Sequence, residues 1–419
     1  MNLVCDVLVI GGGAAGVGAA VSASKKGAKV ILLDRLERIG GILNQCIHSG
    51  FGVKAFGSEL TGPGFAMALQ RQLSQTSATA YLSTFVYSLS PSEGGFLALA
   101  SSREGIKAIK AKSVVYATGC LERSPGAIGL PGTRPSGVCP AGLAQLYINQ
   151  GGYKLGSRAF ILGSGDIGLI MARRLTLEGI KVLGVAEIEP YSNGLARNKA
   201  QCLDDFQIPL YLSHTVTKVN GADSLESIVL SRVDGEKRPI PGSEKTIQCD
   251  LLLLSVGLLP NVGLLKNSGA KIGPSRGAKV DDRLCSSVKG LYSAGNALEV
   301  HDLADEAYFE GFEAGQRAAE HALGLLSDEG EPTEVRAGGS LGYAIPSYIW
   351  PNGDEKVAIK FRAKRPHSKC QIVIKDGDCL IKTIKKDSIF PSELQILNIA
   401  RNILTNNHKS IEILIEDIL

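Results

Sequence analysis

Paired cysteines are missing from this sequence. Its nine cysteines contain no CxxC and no CxxxxC spacing. That excludes a redox disulfide closed within a short loop, and it argues against a cysteine zinc site or a protein-bound iron–sulfur cluster. Odd in number and scattered, they read as reduced thiols. Long apolar runs are also missing. A membrane-spanning helix needs roughly 18 apolar residues, whereas the longest candidate, Leu251 to Leu254, is soon broken by Gly257 and Pro260. The first apolar strand starts within a few residues of Met1, which leaves no room for a leader, so the expectation is a cytoplasmic protein. Charge of one sign is scarce as well. A net charge of +4 and a pI near 8.5 are too mild to imply nucleic acid or an anionic membrane as partner.

What is present points to a nucleotide-using globular protein. At 419 residues the chain is too long for one ordinary domain, and 44% hydrophobic with 21% charged residues suits a full buried core. The chain is organised around VLVIGGGAAGVGAAVSASKKGAKVILLD, Val7 to Asp34. An apolar run stops at a glycine turn, an alanine-rich helix pattern follows, and a second apolar run ends on an acid. This is the pattern of a βαβ unit. Gly11 allows the sharp turn, Gly13 lets a pyrophosphate approach the backbone, and Gly16 lets helix and strand pack closely. The helix N-terminus offers unpaired N–H groups to the phosphates. Asp34 stands where a carboxylate accepts from a ribose 2′-OH.

The loop after Asp34 is rich in glycine. Gly40 and Gly41 permit close backbone approach to a ligand, and Cys46 and His48 follow. These two are either a thiol and imidazole beside a redox centre, or a buried small hydrophobe and a hydrogen-bonded histidine. Phe65 to Leu73 reads as a helix. Ala80 to Leu89, Phe96 to Ala100 and Ile106 to Ile109 read as antiparallel strands. Val114 to Ala117 is an apolar strand that ends at Thr118-Gly119, small enough to lie beneath a flat ligand.

After a Pro- and Gly-rich boundary the motif recurs in AFILGSGDIGLIMARRLTLEGIKVLGVAE. Gly163, Gly165 and Gly168 repeat the spacing, Glu187 supplies the terminal acid, and Leu251 to Leu254 is a return strand that closes on Gly257. This internal repeat is the strongest organisational feature of the chain. Ile188 and Glu189 follow Glu187, with no basic residue at the acid, so NAD(H) is expected over NADP(H). Leu291-Tyr292 is a further short strand that stops at Ala294-Gly295-Asn296. Asp302 then opens a long helix whose first amides, from Leu303 on, can serve a ligand carbonyl. His301 is either a site residue or a surface histidine.

Past a linker over 326–340 lies a small α/β unit, 341–419. Lys356 to Ala363 and Gln371 to Ile384 read as strands, the latter turning at Asp376-Gly377. Ser392 with Gln395 forms a capping box for a helix to Leu404, and Ile411 to Ile415 is a last strand. Lys356, Lys360, Arg362, Lys364, Arg365 and Lys369 make this unit basic, either as a solvated face or as a docking surface for an acidic partner.

The two glycine motifs, ATG at 117–119 and GLYSAGN at 290–296 together resemble the two-dinucleotide-binding flavoproteins, the class of glutathione and thioredoxin reductases. The resemblance covers about residues 3 to 325. It implies an α/β fold of two Rossmann-like dinucleotide-binding domains, with FAD on 1–135 and 258–325 and NAD(H) on 136–257. By the match, Gly11, Gly13, Ala14, Ala15, Gly16, Asp34, Arg35, Gly41, Val86, Thr118, Gly119, Gly295, Asn296 and Leu303 fall on FAD positions. Gly163, Gly165, Asp166, Ile167, Gly168, Glu187 and Gly257 fall on NAD positions. Asn296 stands where that class usually has an Asp on the ribityl chain. Leu43 and His48 occupy the places of the disulfide reductases' two cysteines, so reduction of thioredoxin or glutathione is not expected. Cys46, His48 and His301 remain the candidates for catalysis in the oxidising half-reaction, and no metal is expected.

A narrower resemblance rests on NQCIHSGFG, LERSPGAIGLPGTRPSG, ARRLTLEG and NALEVHDL. These look like the NAD/FAD oxidoreductases encoded beside glycerol-3-phosphate dehydrogenase-like genes, whose relatives include α subunits of opine and amino-acid dehydrogenases. It implies an FAD-dependent NADH:acceptor oxidoreductase that passes electrons to or from a partner subunit or a small acceptor. The alternatives are a self-contained NADH oxidase or peroxidase using Cys46, and a redox-responsive nucleotide-binding module. A homo-oligomer is the other assembly expected.

Overall fold

Val7, Leu8, Val9 and Ile10 are buried in succession, as in a strand covered on both faces. In the computed structural model, which describes residues 2–326, 330–406 and 408–418, that strand, Asn2–Ile10, runs parallel between Val30–Leu33 and Gly105–Tyr116. Thr79–Tyr81 continues the sheet beyond Val30–Leu33, and Leu291–Ser293 pairs with the far half of Gly105–Tyr116, both parallel. The hairpin Thr84–Ser92 and Gly95–Ser102 pairs antiparallel with the near half. Ile106–Ile109 and Val114–Ala117, read from sequence as separate strands, thus belong to one strand that ends at Tyr116. Its near half alternates in burial and its far half is continuously buried, so the two halves look different in sequence.

The helix Ala14–Lys25 lies on this sheet and packs on the helix Ala304–Ala322. Small residues let the two backbones touch: a Cβ on Gly18 would sit 2.4 Å from the Tyr308 carbonyl oxygen, and one on Gly311 would sit 1.9 Å from that of Ala15. The helix read as Phe65 to Leu73 spans Gly62–Ser74, with the Thr61 hydroxyl accepting from the Gly64 N–H at 3.2 Å.

The chain divides into two compact units, 1–120 with 260–419, and 121–259. The second unit therefore takes in the Pro- and Gly-rich stretch that the sequence reading leaves with the first. Its parallel sheet has the strand order Val138–Pro140, Leu251–Leu254, Arg158–Leu162, Lys181–Glu187, Leu210–Leu212. That is the order of the first unit over again, with the glycine-turn strand central and the return strand beside it. An antiparallel three-stranded insert, His214–Asn220, Ser227–Arg232 and Lys245–Gln248, occupies the same place in the chain as the first unit's hairpin. Both faces of this sheet are covered, one by a core around Ile161, Leu169 and Leu253, the other around Phe160, Leu162 and Ile228.

The C-terminal segment belongs to the first unit but has its own core, including Val357, Ile359, Phe361, Ile372 and Ile413. Thr333–Ala337 is already one of its strands, paired with Ser410–Asp417, so the linker is shorter than the 326–340 expected; its Ser327 to Glu329 lie outside the described residues. Where the capping box predicts a helix to Leu404, Gln395–Ala400 is a strand, antiparallel to Lys356–Ala363, and only Arg401–Thr405 is helical. Burial of Leu397 and Ile399 on one face outweighs the local cap signal.

Candidate functional site

The first glycine turn is shaped by its own chain at two of its three glycines. Gly11 has φ +109°, and a Cβ there would lie 2.3 Å from the Ala117 carbonyl oxygen. A Cβ on Gly16 would lie 1.7 Å from the Gly11 carbonyl oxygen. Gly13 differs: a Cβ there meets no protein atom within 4 Å. Protein packing therefore accounts for Gly11 and Gly16, and the open space before Gly13, at the N-terminus of Ala14–Lys25, suits an incoming pyrophosphate. Ala14 is half-buried and Ala15 buried at the start of that helix, and a Cβ on Gly41 would come within 3.4 Å of the Gly13 Cα. The second turn repeats the obstruction. A Cβ on Gly163 would meet the Ser255 carbonyl oxygen at 2.1 Å, and one on Gly168 the Ser255 Cβ at 2.7 Å, while one on Gly165 comes no nearer than 3.3 Å, to the Ser255 Oγ.

The two terminal acids are held alike. Asp34 is buried, its Oδ2 accepting from the Gly12 N–H and its Oδ1 from the Leu36 N–H at 2.7 Å. Glu187 is buried too, its Oε2 accepting from the Ser164 N–H at 2.9 Å and its Oε1 from the Glu189 N–H at 3.0 Å. The Ser164 hydroxyl adds a bond to Glu187 at 2.7 Å. Each carboxylate is thus oriented by its own turn before any ligand arrives. Sequence reading missed Lys237, which pairs with Glu189, since the lysine comes from a distant hairpin. The Asp166 carboxylate is occupied within its unit, accepting from the Leu195 N–H at 2.9 Å and the Asn198 amide at 2.6 Å. Ile167 is half-buried on the same helix, and Gly257, at φ +100°, follows the return strand.

In the first unit Gly119 has φ +73° and open space before it. Thr118 donates through its hydroxyl to the Asn261 carbonyl at 3.3 Å. Val86 is buried near the start of its strand, and Arg35 is exposed. The Asn296 Oδ1 accepts from the His301 N–H at 3.0 Å, and its Nδ2 lies 3.6 Å from the Cys120 sulfur. The Gly295 N–H donates to Glu310 Oε2 at 2.6 Å. The following helix begins at Ala304 with Leu303 at its cap. Asp302 is not the cap the sequence suggests; it pairs with Arg362 and accepts from the Leu394 N–H at 2.7 Å. Asp305 instead turns back to accept from the N–H groups of Gly52, Lys54 and Ala55.

The three catalytic candidates stand in different settings. Cys46 is buried, and burial pushes its thiol up to about 12, so it is protonated near neutral pH and a poor nucleophile. His48 points Nδ1 at the Ser49 carbonyl, 2.9 Å away, with its ring 4.9 Å from that of Phe51. His301 is no surface residue: its side chain is 2% exposed, with Nε2 3.4 Å from Glu310. Burial works against a charge on His301, but Glu310 and then Glu299 outweigh it and hold its pKa above the ordinary histidine value. Burial alone would raise Glu310, yet Lys360 and His301 bring it down to about 2. Lys360 and Arg362, read from sequence as part of a basic face, turn inward, Lys360 onto Glu310 and Arg362 onto Asp302.

Comparison with known proteins fits this arrangement. The model of the pyridine nucleotide-disulphide oxidoreductase family matches residues 5–311. Hydrogen cyanide synthase subunit HcnB of Pseudomonas aeruginosa is 25% identical over 78% of this chain and 72% of its own length. Sarcosine oxidase subunit alpha of Corynebacterium sp. strain U-96 is 27% identical over 85% of this chain, which spans only 36% of that subunit. The crystal structure of thioredoxin reductase from T. acidophilum shares the fold, with a TM-score of 0.63 and 24% identity over 76% of this chain and 99% of that one. Among the described residues, no helix is long and apolar enough to cross a membrane.

Proposed function

The chain belongs to the pyridine nucleotide-disulphide oxidoreductase family, and from that premise we propose that it is an FAD-dependent NADH:acceptor oxidoreductase whose second redox partner is another subunit or a small hydroxy- or amino-compound. The family uses FAD and NAD(P)H. The observation that carries the reading is the doubled turn: Gly12, Asp34 and Leu36 in one unit, Ser164, Glu187 and Glu189 in the other, the same three hydrogen-bonding positions built twice. The naming of HcnB and sarcosine oxidase alpha as subunits supports a partner chain here.

Bound FAD supplies the capacity to take a hydride from NADH and release two electrons to an acceptor. In the first unit Gly11, Gly13, Ala14, Ala15, Gly16 and Gly41 would line the pyrophosphate. Asp34, Arg35 and Val86 would face the adenosine end, and Thr118, Gly119, Gly295, Asn296 and Leu303 the flavin end. The N–H groups after Leu303 would favour negative charge on the ligand. In the second unit Gly163, Gly165, Asp166, Ile167, Gly168 and Gly257 would line NAD(H) through the backbone. Glu187 would accept from the ribose and disfavour a 2′-phosphate. No side chain is required as acid or base in the NADH half-reaction. Steady-state kinetics with both nucleotides test this reading: NADH should exceed NADPH in kcat/KM by at least about tenfold, some 1.4 kcal/mol. Equal values refute the assignment to NAD(H).

A self-contained NADH oxidase working through Cys46 draws no support from a thiol buried and protonated near neutral pH.

A further inference from the structure

The strand Lys356–Ala363 presents two faces. Val357, Ile359 and Phe361 enter the C-terminal core. Lys360 and Arg362, which alternate with them, reach the other way, onto residues 299–310 of the same unit. Lys360 bonds to Glu310 and lies 3.6 Å from Glu299. Both acids are almost fully buried, at 4% and 1% exposed, so they need a compensating cation.

Glu310 passes that contact on. Its Oε2 accepts from the Gly295 N–H at 2.6 Å and lies 3.4 Å from His301 Nε2. The backbone N–H of His301 in turn donates to the Asn296 Oδ1 at 3.0 Å. Arg362 closes the other end, donating to the Val300 carbonyl at 2.9 Å and pairing with Asp302. Both ends of the turn that carries Gly295, Asn296 and Leu303 are therefore tied, directly or through one residue, to a strand some sixty residues later in the chain.

We propose that Lys360 is a positioning residue for the flavin site: through Glu310 it fixes the Gly295–Leu303 turn, so that the C-terminal module is a working part of cofactor binding. The inference rests on the reading that FAD binds the first unit. Removing the ammonium leaves buried carboxylates to seek protons or water, and the turn loses its fixed anchor at Gly295.

The test measures the Kd for FAD by titrating deflavinated full-length protein, with the apoprotein's Tm and the bound flavin's absorption spectrum recorded alongside. Lys360→Met should weaken FAD binding by at least about tenfold, Lys360→Arg should restore it to within about threefold, and Lys356→Met, on an exposed position of the same strand, should leave it unchanged. Since Lys360→Met alone strands both buried carboxylates, the triple variant Lys360→Met/Glu299→Gln/Glu310→Gln, which carries neither charge there, is decisive. A normal apoprotein Tm with weakened FAD binding and a shifted flavin spectrum supports the proposal. FAD binding within about twofold of wild type, with an unaltered spectrum, overturns it. Wild-type protein that binds no FAD overturns the underlying reading, and this inference with it.

Discussion

Gly13 and Gly16 stand one turn apart at the head of the same helix and are glycine for different reasons. A Cβ on Gly16 would strike the Gly11 carbonyl oxygen at 1.7 Å, whereas a Cβ on Gly13 would meet nothing within 4 Å.

The two alanine variants should therefore separate folding from binding. Gly16→Ala forces the helix away from the strand and should cost about 3 kcal/mol or more, read as a large fall in Tm of the apoprotein. Gly13 sits in extended backbone at φ −78°, which alanine tolerates, so Gly13→Ala should cost less than about 1 kcal/mol yet weaken FAD by at least about tenfold. Equal losses of stability in both variants would show that Gly13 serves packing alone.

Cys46 should be inert in the native protein. With its thiol pushed up to about 12 by burial, the thiolate is scarce at neutral pH. Iodoacetamide at pH 7.5 should leave Cys46 unmodified by mass spectrometry until the protein is denatured, and Cys46→Ser should change NADH oxidation by less than about twofold. Rapid native labelling together with lost activity would restore the thiol to the mechanism.

Asp281 gives the stability a pH signature. It accepts from Trp350 Nε1 at 2.8 Å and from the Cys285 N–H at 2.9 Å, yet burial raises its pKa to about 6, from 3.8. A raised folded pKa means that the native state holds the proton more tightly than the unfolded chain. This contribution is complete below pH 3.8 and is lost as pH rises through about 6, so ΔG falls across that window. The difference in Tm between Asp281→Asn and wild type should move in the variant's favour from pH 4 to pH 6 and level off above. A pH-independent difference would mean that the carboxyl is ionised throughout.

The architecture was legible because its signals are local. Gly11 and Gly163 announce turns, and the runs at Val7–Ile10, Val30–Leu33 and Leu251–Leu254 announce buried parallel strands. What escaped the sequence depends on distant partners. Nothing near Lys360 names Glu310, fifty residues earlier, and nothing near Glu189 names Lys237. The stretch Gln395–Ala400 fits a helix by its cap and a strand by its alternation, and only pairing with Lys356–Phe361 decides between them. Asp302 looked like a helix cap because Arg362, which claims it, lies on another sheet.

The central claim is that this chain carries FAD and reduces it with NADH. Anaerobic addition of one equivalent of NADH to the flavin-loaded protein, followed by stopped-flow absorbance, tests it most directly. The account predicts rapid loss of the visible flavin band, faster with NADH than with NADPH. Protein that cannot be loaded with flavin, or a bound flavin left oxidised by both nucleotides, would contradict it.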